Sequence, residues 1–298
     1  MRNITLLFES FAMSVFDLLI IDPQNDFLDI PGAALPVPGA QVDMERLAHW
    51  LAHHLHAVQS ITVTLDSHAS VGIERTTFWV NADGAAVAPF TVITAADVQS
   101  GRYVPRETSG ALPQDEHAQT SRRAEALAYL QALEATVKRQ LVAWPVHCVL
   151  GTWGHNIHKG LADSIAQWEL HSGRVCTRVI KGLNPMTEQY SAFRAEVPRS
   201  DDAHTRLNLA LLEGLAAGTN TLLVAGEALS HCVAASVQDM LAHLPAPRLA
   251  QMVLLTDCMS PVAGFEAMGH AFLAQARSHG VRTLALKDAA ALPAQRAD

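Results

Sequence analysis

The chain has 298 residues, 49% of them hydrophobic and 17% charged, a balance that supplies a buried core and excludes a disordered polymer. Its 21 basic and 29 acidic residues give a formal net charge of -8, and no cluster of Lys and Arg offers the footprint of a nucleic-acid or anionic-membrane partner. No stretch approaches the roughly 20 apolar residues that span a bilayer, and Cys148, Cys176, Cys232 and Cys258 stand apart without CxxC spacing, as reduced thiols of a cytoplasmic protein do.

The N-terminal MRNITLLFESFAM is apolar but broken by Glu9, and the run after it reads as a strand, not as part of a signal peptide. Met13 is an alternative start, which makes 1–13 an extra segment. FDLLII (16–21) has the unbroken apolar character of a strand buried on both faces and ends at Asp22. Met44, Leu47, Leu51, Leu55 and Val58 recur at steps of three or four, predicting a helix with one apolar stripe. A strand over 60–65 then ends at Asp66 and His68. Residues 69–119 have weak periodicity and many Gly, Pro, Thr and Ala, and precede a helix in which Leu127, Leu130, Val137 and Leu141 share a face. We read 69–143 as an insertion in a single domain spanning 14–298, forming a lid over a pocket or a contact between copies in a homo-oligomer. Alternation resumes with helix 158–170, strand 174–180, helix 204–217, strand 221–225, helix 232–243, strand 251–256, helix 262–279 and strand 281–286. The pattern predicts a three-layer α/β/α fold around a mostly parallel six-stranded sheet.

Such sheets bind ligands outside the carboxyl ends of their strands, where Asp22, Asp66, His68, Lys181 and Cys232 would gather. Cys232 follows the turn GEALSH and opens a helix, whose N-terminus is expected to lower a thiol's pKa and favour the thiolate nucleophile. A carboxylate at Asp22 can take and return a proton, and the ammonium of Lys181 favours thiolate. Asp66 and His68 project from one face of a strand, as an oxygen and a nitrogen ligand for a metal. His147 is the best third ligand and Glu74 a candidate fourth; the set suits zinc, iron or manganese. His231, next to the thiol, reads as a supporting or structural residue, and the other three cysteines as buried and inert.

The strings IDPQNDF with PGAALPVPGA, TLDSH, WPVHCVLGTWGHNIH, KGLNP followed by YSAF, and AGEALSHCV resemble, in order, the landmarks of the nicotinamidase and isochorismatase-like cysteine hydrolases. The resemblance runs over about 16–285 and is closer to the metal-containing nicotinamidase branch. It implies the isochorismatase-like hydrolase fold, a catalytic triad of Asp22, Lys181 and Cys232, and a divalent metal on Asp66, His68 and His147. It further implies an oxyanion hole from the backbone N–H groups of Ala228 and Cys232, with a cis link between Glu227 and Ala228. Phe27 and Trp144 match positions that pack on a flat substrate ring. The implied reaction releases ammonia from a small carboxamide through a thioester, with nicotinamide the leading substrate. Two alternatives stay open: hydrolysis of another C–N bond in a carbamoyl or ureido compound, and a non-catalytic small-ligand-binding protein of the same fold. Departures from the branch are Ser67 between the metal-pair residues, where an aromatic is usual, and the length of 69–143.

Overall fold

A computed structural model describes residues 16–106, 116–289 and 291–292, with no statement on the side chains of 116–120. The expectations for 1–13 and Met13 lie outside these residues. In chain order the elements are β1 (Phe16–Ile21), α1 (Ala40–His53), β2 (Val58–Asp66), β3 (Trp79–Asn81), β4 (Thr91–Ile93), α2 (Ala95–Ser100), β5 (Tyr103–Pro105), α3 (Glu116–Ala132) and β6 (Leu141–Ala143). There follow α4 (Lys159–Ser172), β7 (Thr177–Lys181), α5 (Leu209–Ala216), β8 (Thr221–Gly226), α6 (Ala234–His243), α7 (Ala246–Ala250), β9 (Met252–Leu255), α8 (Glu266–Ser278), β10 (Arg282–Leu284) and α9 (Leu286–Ala289).

The central sheet has six strands in the order β10-β9-β8-β1-β2-β7, every pairing parallel. Its apolar runs are continuous because both faces are covered, and alternate side chains go to opposite layers. Leu18 and Ile20 of β1 join Met44, Leu47 and Leu51 of α1 and Leu161, Ile165 and Trp168 of α4 on one face. Leu19 and Ile21 join Leu212 and Leu215 of α5, Val237 and Met240 of α6 and Phe272 of α8 on the other. The chain lays down β1, β2 and β7 outward in one direction, then returns past β1 to begin β8 on its far side. The order thus reverses between β1 and β8, and a crevice opens above their carboxyl ends, the usual position of a ligand in an open parallel sheet.

Several element ends shift, β7 beginning at Thr177 and α5 at Leu209, and two shifts move residues out of an expected helix. The stripe assigned to one helix ends at His53; Leu55 lies in a short 3-10 turn and Val58 is the first residue of β2. Similarly, α3 stops at Ala132, a turn of π-helix follows over Leu133–Val137, and Leu141 opens β6 rather than closing the helix. In both cases an apolar residue, Val58 or Leu141, continued a helical spacing by chance, and strand pairing overrode it. The segment 69–143 holds the short antiparallel pairs β3 with β5 and β4 with β6. It packs its own cluster of Ile73, Phe78, Trp79, Ile93, Val98, Leu130 and Leu133.

Candidate active site

Asp22 follows β1 with a φ of 42°, a left-handed turn that an aspartate tolerates better than most residues. Its N–H donates to Thr64 Oγ1 over 3.0 Å, and the Thr64 hydroxyl donates back to its Oδ1. Lys181 ends β7 in register with Asp66 of β2. Its side chain is wholly buried, with Nζ 2.9 Å from Asp22 Oδ2, 2.7 Å from Asp66 Oδ1 and 3.5 Å from Cys232 Sγ, and it donates to the Gln189 carbonyl at 3.1 Å. Burial opposes its charge, but the two carboxylates prevail and hold the ammonium well above its ordinary pKa. The structure thus brings Asp22, Lys181 and Cys232 within one hydrogen-bonded group.

Cys232 sits not at the first residue of a helix but inside a π-helical turn, Leu229–Val233, that leads into α6. Burial pushes its thiol well up, Lys181 opposes, and the carboxylates of Asp22 and Asp66 add to the rise. The expectation of a lowered pKa is therefore corrected: desolvation outweighs the ammonium, and the resting sulfur keeps its proton. Asp22 is also raised, first by burial, against the pull of Lys181. Burial makes the Asp22 carboxylate a stronger base than an ordinary one, and it lies across one ammonium from the thiol, an arrangement in which it can accept the thiol's proton.

The Glu227–Ala228 link is cis. Gly226, at φ +118, lets β8 approach β1 so closely that a Cβ there would meet the Ile21 carbonyl at 1.9 Å. The Ala228 N–H has no acceptor among the described residues, while its neighbours donate to the Ile21 and Ser260 carbonyls at 2.8 Å each. Glu227 itself does not face the thiol: its Oε2 accepts from the Ser260 N–H at 3.1 Å, and burial, then Asp43, drive its carboxyl well up.

Beside this group, Asp66, His68 and His147 are buried and offer ligand atoms within 4.8 Å of one another. Asp66 Oδ2 lies 2.7 Å from His68 Nε2 and 3.4 Å from His147 Nε2. His147 Nδ1 lies 2.8 Å from the Pro145 carbonyl and also against Nη1 of Arg75, while Nε2 is the ring nitrogen nearer Asp66. Two imidazoles and a carboxylate of this geometry fit a divalent ion such as zinc, iron or manganese. Glu74 is not placed as a fourth ligand. Its Oε1 is 3.3 Å from His68 Nδ1, the ring nitrogen away from Asp66, so it orients the imidazole from behind. Burial lowers both histidines, and for His147 this and Arg75 bring it to about 4; for His68 the Asp66 carboxylate overcomes burial and raises it to about 9. Gln24 clamps the backbone of Asp66 from both sides, accepting from its N–H at 2.7 Å and donating to its carbonyl at 2.8 Å.

A small cavity joins the two groups. Phe27 and Trp144 line it with Asp66, His147 and Cys232. Trp144 Nε1 donates to Tyr190 Oη at 2.9 Å, and its ring stands edge-on to His231 at 5.1 Å. His231 is more than structural support, since it forms part of the wall; burial, then Arg139, lower it to about 4, so it is neutral. Sequence reasoning passed over Arg75 and Glu188, which also line this cavity. Burial, then Glu74, push the Glu188 carboxyl up to about 7. Arg75 follows Glu74 directly in IERTTFW, in a stretch without periodicity, and no pattern marked it.

No protein-family model matches the sequence, and neither does any curated protein. Solved structures do match. The yeast nicotinamidase Pnc1p bound to the inhibitor nicotinaldehyde superposes with a TM-score of 0.57 at 21% identity, over 91% of this chain and 100% of that one. A second structure of yeast Pnc1p gives 0.58 at 20% identity, over 91% and 99%. A nicotinamidase/pyrazinamidase from Acinetobacter baumanii gives 0.55 at 18%, over 93% and 99%. At such identities the likeness establishes a shared fold, the α/β fold of these hydrolases.

Proposed function

We propose that the chain is a cysteine-dependent amidohydrolase that releases ammonia from a small carboxamide, with nicotinamide the leading candidate. The observation that carries the reading is the single ammonium of Lys181, held 2.9 Å from Asp22 and 3.5 Å from the sulfur of Cys232, a residue that lines the cavity. A protein that only bound a ligand would have no need to bury these three groups against each other, at the desolvation cost such burial carries.

In this reading Asp22 takes the thiol proton as Cys232 Sγ attacks the amide carbon. The carbonyl oxygen gains charge and is met by the N–H groups of Ala228 and Cys232. Asp22 then gives its proton to the nitrogen, the C–N bond breaks, and ammonia leaves a thioester on Cys232. A water molecule, deprotonated by Asp22, attacks the thioester; the acid departs and the proton returns to sulfur. Lys181 keeps the Asp22 carboxylate oriented and offsets the negative charge on sulfur. Asp66, His68 and His147 would hold a divalent metal, which supplies Lewis acidity toward a polar atom of the bound substrate. Phe27 and Trp144 flank the cavity as apolar walls.

Ammonia release from nicotinamide by metal-replete protein tests the reading, with Cys232→Ala and His68→Ala beside it. Turnover lost in Cys232→Ala supports the nucleophile. Turnover that persists in that variant rejects it, and hydrolysis of carbamoyl or ureido compounds in place of carboxamides moves the substrate class to the other C–N bond.

A further inference from the structure

We infer that Arg75 is a specificity-determining residue that receives a carboxylate of the substrate, so that the preferred amide carries an acid group remote from its carboxamide. The inference rests on the amidohydrolase reading and deepens it, placing an acid-bearing carboxamide ahead of nicotinamide as the preferred substrate. The side chain of Arg75 is fully buried, which is rare for a cation unless every donor is used. Its Nε donates to Glu74 Oε1 at 3.0 Å. Nη1 donates to the Pro145 carbonyl at 3.1 Å and lies against both ring nitrogens of His147, Nδ1 and, at 3.1 Å, Nε2. Nη2 has no partner among the described residues, and Arg75 lines the same cavity as Cys232.

A structural guanidinium serving only to balance Glu74 would not leave the two N–H donors of Nη2 without a partner in a buried wall, since an unmet buried donor on a charged group is costly. An acceptor arriving with the substrate meets them. A carboxylate gains most, through a charge-assisted bond with a cation that is already desolvated and held in place by Glu74 and Pro145. Glu188, the other group of this wall with an unpartnered oxygen, Oε2, is pushed by burial toward its neutral form and then offers a donor to the second carboxylate oxygen. Asp22 faces Lys181, and Asp66, which also lines the cavity, is taken up by Lys181, His68 and His147, so neither carboxylate cancels the guanidinium.

The test compares kcat/KM for succinamate and butanamide, which have the same chain length but end in a carboxylate or a methyl group. Metal-replete wild-type, Arg75→Lys and Arg75→Met proteins are measured with both compounds. The wild type should favour succinamate by roughly 100-fold or more, as sites built around a buried hydrogen-bonding group discriminate. Arg75→Met should collapse the ratio to within about threefold, chiefly through KM for succinamate, and Arg75→Lys should restore part of it. Equal losses on both compounds in both variants would mean a structural role and overturn the inference. Should Arg75→Met fail to fold, the wild-type ratio and Arg75→Lys decide alone. Hydrolysis of nicotinamide or butanamide with no gain for succinamate also overturns it while leaving the amidohydrolase reading intact; hydrolysis of no amide at all overturns both.

Discussion

Lys181 is the residue on which the site's electrostatics turn. It separates two buried carboxylates, and each stays in place because the ammonium lies between them. Lys181→Met leaves Asp22 and Asp66 facing each other without a counter-charge, and should cost about 3–5 kcal/mol of stability, read as a lower urea midpoint. A midpoint within experimental error of wild type would contradict this. The Cys232 thiol gives a second measurement. Its folded pKa is raised, so the reactive thiolate is scarce below the ordinary thiol pKa of about 8.5 and appears only as pH rises past it. Iodoacetamide labelling of Cys232 in ligand-free protein should be slow at pH 7 and accelerate through the alkaline range; a rate already flat from pH 6 would show an activated thiolate at rest. Asp22, Asp66, His68, Lys181 and Cys232 were legible because each ends or closely follows an apolar run, and strand ends converge. Arg75 was not. It reaches the cavity through tertiary bonds, Ile73 N–H to the Pro185 carbonyl at 2.7 Å and Thr76 N–H to the Trp144 carbonyl at 3.0 Å, which no local pattern encodes.

Among the elements, the turn between β8 and α6 sets the position of Cys232. Gly226 is the one residue there whose side chain must be absent, because a Cβ would fall on the Ile21 backbone at 1.9 to 2.7 Å. Gly226→Ala should force β8 away from β1, lowering stability by about 2–4 kcal/mol and, by displacing Ala228 and Cys232, reducing turnover more than the stability loss alone explains. A variant with unchanged melting temperature and turnover would refute this. The existence of the six central strands was legible, since doubly buried strands are unbroken apolar runs; their ends were not, because pairing register fixes them. Val58 pairs with Phe16 at the start of β2, and Leu141 pairs with Ile93 at the start of β6, although both continue a helical spacing in sequence. The segment 69–143 carries Glu74 and Arg75 into the site at its beginning and builds its own apolar cluster beyond them. We read it as a wall of the cavity as well as an elaboration of the surface.

At the scale of the molecule, a parallel sheet whose order reverses between β1 and β8 gathers residues from opposite ends of the chain into one crevice. This explains why Asp22 and Cys232, 210 positions apart in the sequence (232 - 22), act on one ammonium. It also places the proposed metal ligands beside the thiol, since Asp66 contacts both His68 and Lys181. Metal removal should therefore do more than empty a binding site. Chelated protein should lose turnover and melt at a lower temperature, both restored by a stoichiometric divalent ion, because ligands that bind only the folded state stabilise it. His147→Ala should bind the ion at least tenfold more weakly by calorimetry. Full activity after exhaustive chelation, with no metal detected by elemental analysis, would remove the metal from the reaction. Among the described residues no helix is long and apolar enough to cross a membrane.

The most direct measurement is mass spectrometry of the protein quenched with acid during turnover of a carboxamide. A thioester on Cys232 predicts a mass increase equal to the acyl group, localised by proteolysis to the peptide containing Cys232, sensitive to hydroxylamine and absent from Cys232→Ala. Ammonia release at an undiminished rate from Cys232→Ala, or an acyl group carried on any other residue, would contradict nucleophilic catalysis by this thiol.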